Sequence, residues 1–261
     1  MSINYLENRL KDILDGGDKL FVPYIMCGDG GFEKTEKLLR LLESSGASVI
    51  EIGIPFSDPI ADGPSIQAAG QRALDRGVDL NQILDFLGQT PPDNNVPRII
   101  MTYLNPIIQY GLENFFEKLS EISISGVIIP DLPMEEYEMI SGYTNKYDIA
   151  IIPLVAPSTS LERMDTMLNH THGFIYAVTV NGTTGSRREF DPKLLKRLGD
   201  IKKHTGRPVV AGFGVSTRQH IDMLGQYSDG VVVGSKIVDL AHKEDYESIK
   251  KLIPHKNKLS F

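Results

Sequence analysis

Apolar residues follow two alternating patterns along this chain. Short runs that are apolar nearly throughout, as expected of strands buried on both faces, are separated by longer segments whose apolar residues recur every three or four positions. Eight such runs are legible, at 20–26, 48–54, 98–103, 126–130, 150–155, 173–180, 208–212 and 230–233. The segments between them carry helix signals. Leu112, Phe115, Phe116 and Leu119 form one stripe, Gly46 ends another helix, and Thr159 with Glu162 predicts a capping box ahead of Met164 and Leu168. Before the first run, Tyr5, Leu6, Leu10 and Ile13 predict an extra helix over 3–15.

Strands of this kind, separated by helices, belong in a parallel sheet covered on both faces, because parallel pairing needs crossover connections. Eight strand-helix units in 261 residues match a closed barrel better than an open sheet. The predicted fold is therefore α/β, a (β/α)₈ TIM barrel with an added N-terminal helix, forming a single domain over 1–261. The stretch 55–97 is too long for one ordinary connection and should hold a functional loop and an extra helix.

Composition narrows the class of function. A net charge of -7 and a pI near 5.4 oppose a broad nucleic-acid surface, and the one basic run, 193–203, has the spacing of a solvated helix face. No apolar stretch is long enough to span a bilayer, and the first residues lack the pattern of a secretion signal. With Cys27 alone, no internal disulfide can form, so the cytoplasm is the expected address.

In such barrels the chemistry lies at the C-terminal ends of the strands. Within 48–54, period-two alternation turns Ile50, Ile52 and Ile54 toward the helices and Val49, Glu51 and Gly53 toward the barrel axis. Glu51 thus carries a carboxylate into the core. A structural role would need a buried basic partner, and no predicted strand has a Lys or Arg near its C-terminal end; an unpaired buried carboxylate points instead to a working site. In the loop that follows, Asp58 before Pro59 and Asp62 before Gly63 are turn formers or substrate ligands, and spacing alone leaves both open. Gly212-Phe-Gly214-Val-Ser216 and Gly234-Ser235 end the last two runs, where backbone N–H groups and a helix N-terminus suit a phosphate. Gly182-Thr-Thr184-Gly185-Ser186 is placed to fold over the same end. An ordinary strand-to-helix turn is the alternative account of each glycine pair, but their placement after the last two strands of a barrel favours the phosphate.

A carbon–carbon lyase on this fold commonly relies on a Schiff-base lysine or a metal. Neither is visible: Lys19 precedes the first run, Lys236 lies beyond the Gly234-Ser235 turn, and the six histidines show no ligand-like pairing. Cys27 reads as a small core residue. Carboxylate acid–base chemistry remains.

The segment Glu51-Ile-Gly-Ile-Pro-Phe-Ser-Asp-Pro-Ile-Ala-Asp62-Gly-Pro resembles the signature of the tryptophan synthase alpha chain family. Met101-Thr-Tyr-Leu-Asn-Pro106, Ile129-Pro-Asp-Leu-Pro133, Pro153-Leu-Val-Ala-Pro157 and Gly230-Val-Val-Val-Gly-Ser235 extend the likeness over nearly the whole chain. The resemblance implies retro-aldol cleavage of indole-3-glycerol phosphate to indole and glyceraldehyde 3-phosphate with no cofactor and no metal. It places Glu51 as the proton donor to the indole ring carbon and Asp62 at the ring N–H. It also implies substrate contacts from Tyr24, Tyr176, Thr184, Gly185, Gly214, Gly234 and Ser235. The implied partner is a separate beta chain that uses pyridoxal phosphate, in an α₂β₂ heterotetramer. Two stretches depart from the family pattern: Cys27-Gly-Asp-Gly-Gly31, which predicts a looser turn, and Val180-Asn-Gly-Thr-Thr-Gly185. A related phosphate-binding barrel, whose catalytic lysine or Cys/Asp pair is not found, and a non-catalytic binding barrel, which needs no buried proton donor, are the competing readings.

Overall fold

The computed structural model describes residues 2–93, 96–179, 190–212 and 214–254. Nine parallel strand segments follow one another: β1 (Leu20–Met26), β2 (Ile50–Gly53), β3 (Arg98–Met101), β4 (Ile124–Ile128), β5 (Ala150–Ile151), β6 (Leu154–Val155), β7 (Ile175–Val178), β8 (Val209–Gly212) and β9 (Gly230–Val233). Their order is β5-β4-β3-β2-β1-β9-β8-β7-β6. The two ends of that order are halves of one predicted run, so the chain itself closes a TIM barrel. The run breaks at Ile152 and Pro153, since Pro153 offers no N–H to a ladder. Hydrogen bonds span the break: the Ile152 N–H reaches the Val127 carbonyl at 2.9 Å, and the Tyr176 N–H reaches that of Pro153 at 3.0 Å.

Alternation along each strand sorts the core into two layers. Leu20, Val22, Tyr24 and Met26 of β1 face the axis together with Val49, Ile99, Tyr176, Val210 and Val232. Phe21, Ile25, Ile50, Ile52 and Ile54 face the helices. The predicted N-terminal helix is Ile3–Asp15, capped by the Ser2 hydroxyl, which accepts from the Tyr5 N–H. Its Leu6 and Leu10 pack beside Leu20 and Phe174 and seal the end of the barrel where β1 begins. The long connection after β2 holds an irregular loop and two helices, Pro64–Leu74 and Leu80–Gln89.

Two expectations need correction. Ser160, not Thr159, caps the helix Leu161–Leu168, accepting from the Arg163 N–H at 3.1 Å; Thr159 closes the preceding turn by accepting from the Ala156 N–H. The box lies one residue too early for this cap, so Glu162 falls at the second helical position and Arg163 takes the third. The turn after β1, expected to be loose, is pinned: Arg72 grips Asp29 with two hydrogen bonds of 2.8 and 2.6 Å. Among the described residues, no helix is long and apolar enough to cross a membrane.

At the start of β3 the fully buried Arg98 meets Glu43 at 2.6 Å, and its remaining N–H groups reach the carbonyls of Thr90 and Pro91. Removing one member of a buried pair strands the other charge, which costs about 3–5 kcal/mol. Glu43→Ala should lower the unfolding free energy by that amount in urea titrations, far more than loss of the exposed Lys146–Glu113 pair.

Candidate functional site

Glu51 occupies the middle of β2, paired in register with Tyr24 of β1 and Ile99 of β3. Its side chain is 0% exposed, and neither carboxyl oxygen has a hydrogen-bond partner. Burial therefore raises its pKa to about 8, with a further contribution from Asp62. The structure confirms the inward orientation inferred from alternation.

Asp62 lies at the end of the irregular loop, just before the helix Pro64–Leu74. Although on a loop, it is only 8% exposed. Burial raises its pKa to about 6, while a hydrogen bond from the Tyr103 hydroxyl, 3.1 Å from Oδ2, opposes the rise. Near neutral pH Asp62 is mostly ionised and Glu51 mostly protonated. The loop brings the Asp62 carboxylate into the site; Asp58 is exposed and bonded to its neighbour Ser57 at 2.6 Å, as a turn residue would be.

Both carboxyl groups line one cavity of about 480 Å³ at the C-terminal ends of the strands. Tyr24 and Tyr176 form its inner wall, and burial raises both phenol pKa values well above the ordinary range, so both stay neutral. Room for these rings comes from glycines on neighbouring strands. A Cβ on Gly53 would stand 1.9 Å from the Tyr24 hydroxyl, and one on Gly212 would stand 2.2 Å from the Tyr176 ring. Any other residue at either place would displace a tyrosine.

Gly214, Gly234 and Ser235 line the cavity as expected, joined by Ser216, Thr217 and Lys236. The helix Ser235–His242 starts at Gly234 with no side-chain cap, so its first-turn N–H groups are left for a ligand. His220 supports this end: its Nδ1 accepts from the Ser216 N–H at 3.4 Å. Lys236, expected to lie beyond the site, stands on the cavity wall, because the first helical turn brings it back. Thr184 and Gly185, with the rest of the loop after β7, lie outside the described residues. A smaller cavity of about 200 Å³, beside Tyr137 and Arg163, holds neither carboxylate.

The family model described as "Tryptophan synthase alpha chain" matches residues 10–259. The chain belongs to the tryptophan synthase alpha chain family. A tryptophan synthase alpha chain from Bacillus cereus is 46% identical over 245 residues, covering 94% of this chain and 95% of that protein. A crystal structure of the alpha chain from Legionella pneumophila superposes with a TM-score of 0.85 at 31% identity, covering 100% of both chains. Tryptophan synthase from M. tuberculosis, in its aminoacrylate-bound form, gives 0.84 at 28% identity over 95% of this chain and 96% of that one. Sequence reasoning missed Tyr103 in this family member because its contact with Asp62 spans 41 residues and depends on loop geometry.

Glu51 also ties stability to pH. Its proton is held to about 8 in the folded chain against 4.5 for an ordinary glutamate, so between those values the folded state carries a proton that the unfolded chain has lost. Stability should fall across that window as pH rises, at up to about 1.4 kcal/mol per pH unit from this group. Asp62 acts in the same sense between 3.8 and about 6. Glu51→Gln should therefore gain on the wild type in urea unfolding as pH rises from about 4.5 to about 8. Stability curves that run parallel across that range would show an ordinary Glu51.

Proposed function

We propose that the cavity carries out the reaction of the tryptophan synthase alpha chain family, the retro-aldol cleavage of indole-3-glycerol phosphate to indole and glyceraldehyde 3-phosphate in tryptophan biosynthesis. One observation carries this reading: a fully buried, unpartnered Glu51 shares a cavity with Asp62, whose carboxyl accepts a hydrogen bond from Tyr103. Two carboxyl groups whose surroundings drive their pKa values apart divide into an acid and an electrostatic partner.

Glu51 gives its proton to the indole carbon that bears the glycerol chain. Positive charge then develops at the ring nitrogen, where the Asp62 carboxylate stabilises it. The bond between that carbon and the chain breaks, and its electrons restore the indole ring. The adjacent hydroxyl becomes the aldehyde, and its proton passes to the carboxylate just formed on Glu51. The substrate's own ring thus accepts the electrons released, so the chemistry asks for no lysine or metal. Tyr24 and Tyr176 flank the ring, while Gly214, Gly234 and Ser235 hold the phosphate through backbone N–H groups, with Lys236 adding positive charge at that end. Thr184 and Gly185 are the further substrate contacts that the family resemblance implies.

The chain works in the cytoplasm with a tryptophan synthase beta chain, two copies of each forming an α₂β₂ heterotetramer. Ile60, 76% exposed on the loop that carries Asp62, and Ile108, 48% exposed, are side chains for such a partner to cover.

Removing a positioned proton donor lowers the rate by about 10² to 10⁴. Glu51→Gln should lose indole release by that factor yet still bind indole propanol phosphate, an unreactive analogue. Asp62→Asn should fall by about 10² to 10³, since the amide keeps the shape and loses the charge. Turnover of both variants, measured with their affinity for the analogue, decides: near-normal rates in Glu51→Gln would remove it as the acid.

A further inference from the structure

We propose that Tyr103 is a positioning residue for this site, holding the Asp62 carboxylate in the orientation and charge state in which it meets the substrate. The inference rests on the cleavage reaction assigned above. Tyr103 follows β3 and is 3% exposed, behind Asp62 and outside the cavity's lining. Its oxygen accepts from the Ala61 N–H at 3.0 Å, and its own proton is donated to Asp62 Oδ2 at 3.1 Å. Phe56, on the same loop, stacks on the ring with centroids 5.0 Å apart and an interplanar angle of 28°. One phenol therefore grips the loop at three points: a backbone N–H, a carboxylate and an aromatic face.

The direction of these bonds decides their effect. With the Ala61 N–H pointing at the phenol oxygen, the phenol proton is free to turn to Asp62. A donor aimed at a carboxylate favours the ionised form, because a charge-assisted bond is about twice as strong as a neutral one. This opposes burial, which pushes Asp62 toward protonation. The titratable groups that share the site with it are Glu51 from β2, Tyr24 from β1 and Tyr176 from β7, all held neutral near pH 7. Lys236 and Asp239 stand farther round the same cavity wall, and Asp131 lies beyond Tyr103. The Asp62 main chain is held separately, its N–H on the Pro59 carbonyl and its carbonyl under Gln67 Nε2. Loss of the phenol hydroxyl thus frees the Ala61 N–H as well as the carboxylate, while the Asp62 main chain keeps its bonds to Pro59 and Gln67.

Tyr103→Phe is the test, since it keeps the ring and its stack on Phe56. Loss of a hydrogen bond to a charged group should lower kcat for indole release about tenfold near neutral pH. Affinity for indole propanol phosphate should stay within about threefold of wild type. The acid limb of the kcat–pH profile should move up by about one unit, so that the deficit shrinks in alkaline buffer. A ¹³C NMR titration of the Asp62 carboxyl should show the same upward displacement, whatever the substrate. An unchanged rate, a deficit equal at every pH, or an unmoved Asp62 titration would overturn the proposal. A wild-type chain that releases no indole would instead overturn the reaction assigned above, whereas an active wild type with an unmoved acid limb in Tyr103→Phe overturns only the role of Tyr103.

Discussion

Glu51 is a carboxyl group that the barrel has taken out of water without giving it a partner. An ionised carboxylate in that position would cost several kcal/mol, so the group stays protonated to about 8, and the folded chain holds a proton that an open chain would have released. The rest of the site is arranged around this constraint. Neutral phenols, not cations, stand beside it on β1 and β7, and the basic Arg98 on the neighbouring strand is committed to Glu43 in the helix-facing layer. A lysine or arginine beside Glu51 would ionise it and remove the acid. The burial that costs stability above neutral pH also leaves a proton on Glu51 at neutral pH, as the proposed cleavage requires.

The second carboxylate is set differently. Asp62 comes from an irregular loop, so its position depends on contacts between connections rather than on a strand. Tyr103, Pro59 and Gln67 provide those contacts: the last two hold the Asp62 main chain, and Tyr103 donates to its carboxyl. Two acids of the same chemical kind are separated in protonation by burial and by what each can hydrogen-bond.

Much of this arrangement is legible in the order of residues alone. Period-two alternation on β2 points Glu51 inward because a strand's side chains have only two directions, and the eight apolar runs lead to the barrel because parallel strands need crossovers. Asp62 is not separable from Asp58 by spacing, since both precede turn-forming residues; the family resemblance chooses between them, and the burial of Asp62 agrees. Other features lie beyond the sequence because they depend on distances between connections. Tyr103 reaches Asp62 across 41 positions, Lys236 is returned to the wall by one helical turn, and the fifth run splits where Pro153 passes the chain from β4 to β7. The misplaced cap at Thr159 shows the usual one-residue uncertainty of a helix boundary when two hydroxyl residues are adjacent.

Everything in this site turns on Glu51 being a protonated acid at rest. A ¹³C NMR titration of its carboxyl carbon, assigned by comparison with Glu51→Gln, measures that state without any substrate. Burial should put the midpoint near 8, well above 4.5 for an ordinary glutamate. A midpoint between about 4 and 5 would contradict it, because Glu51 would then be a carboxylate at neutral pH with no proton to give.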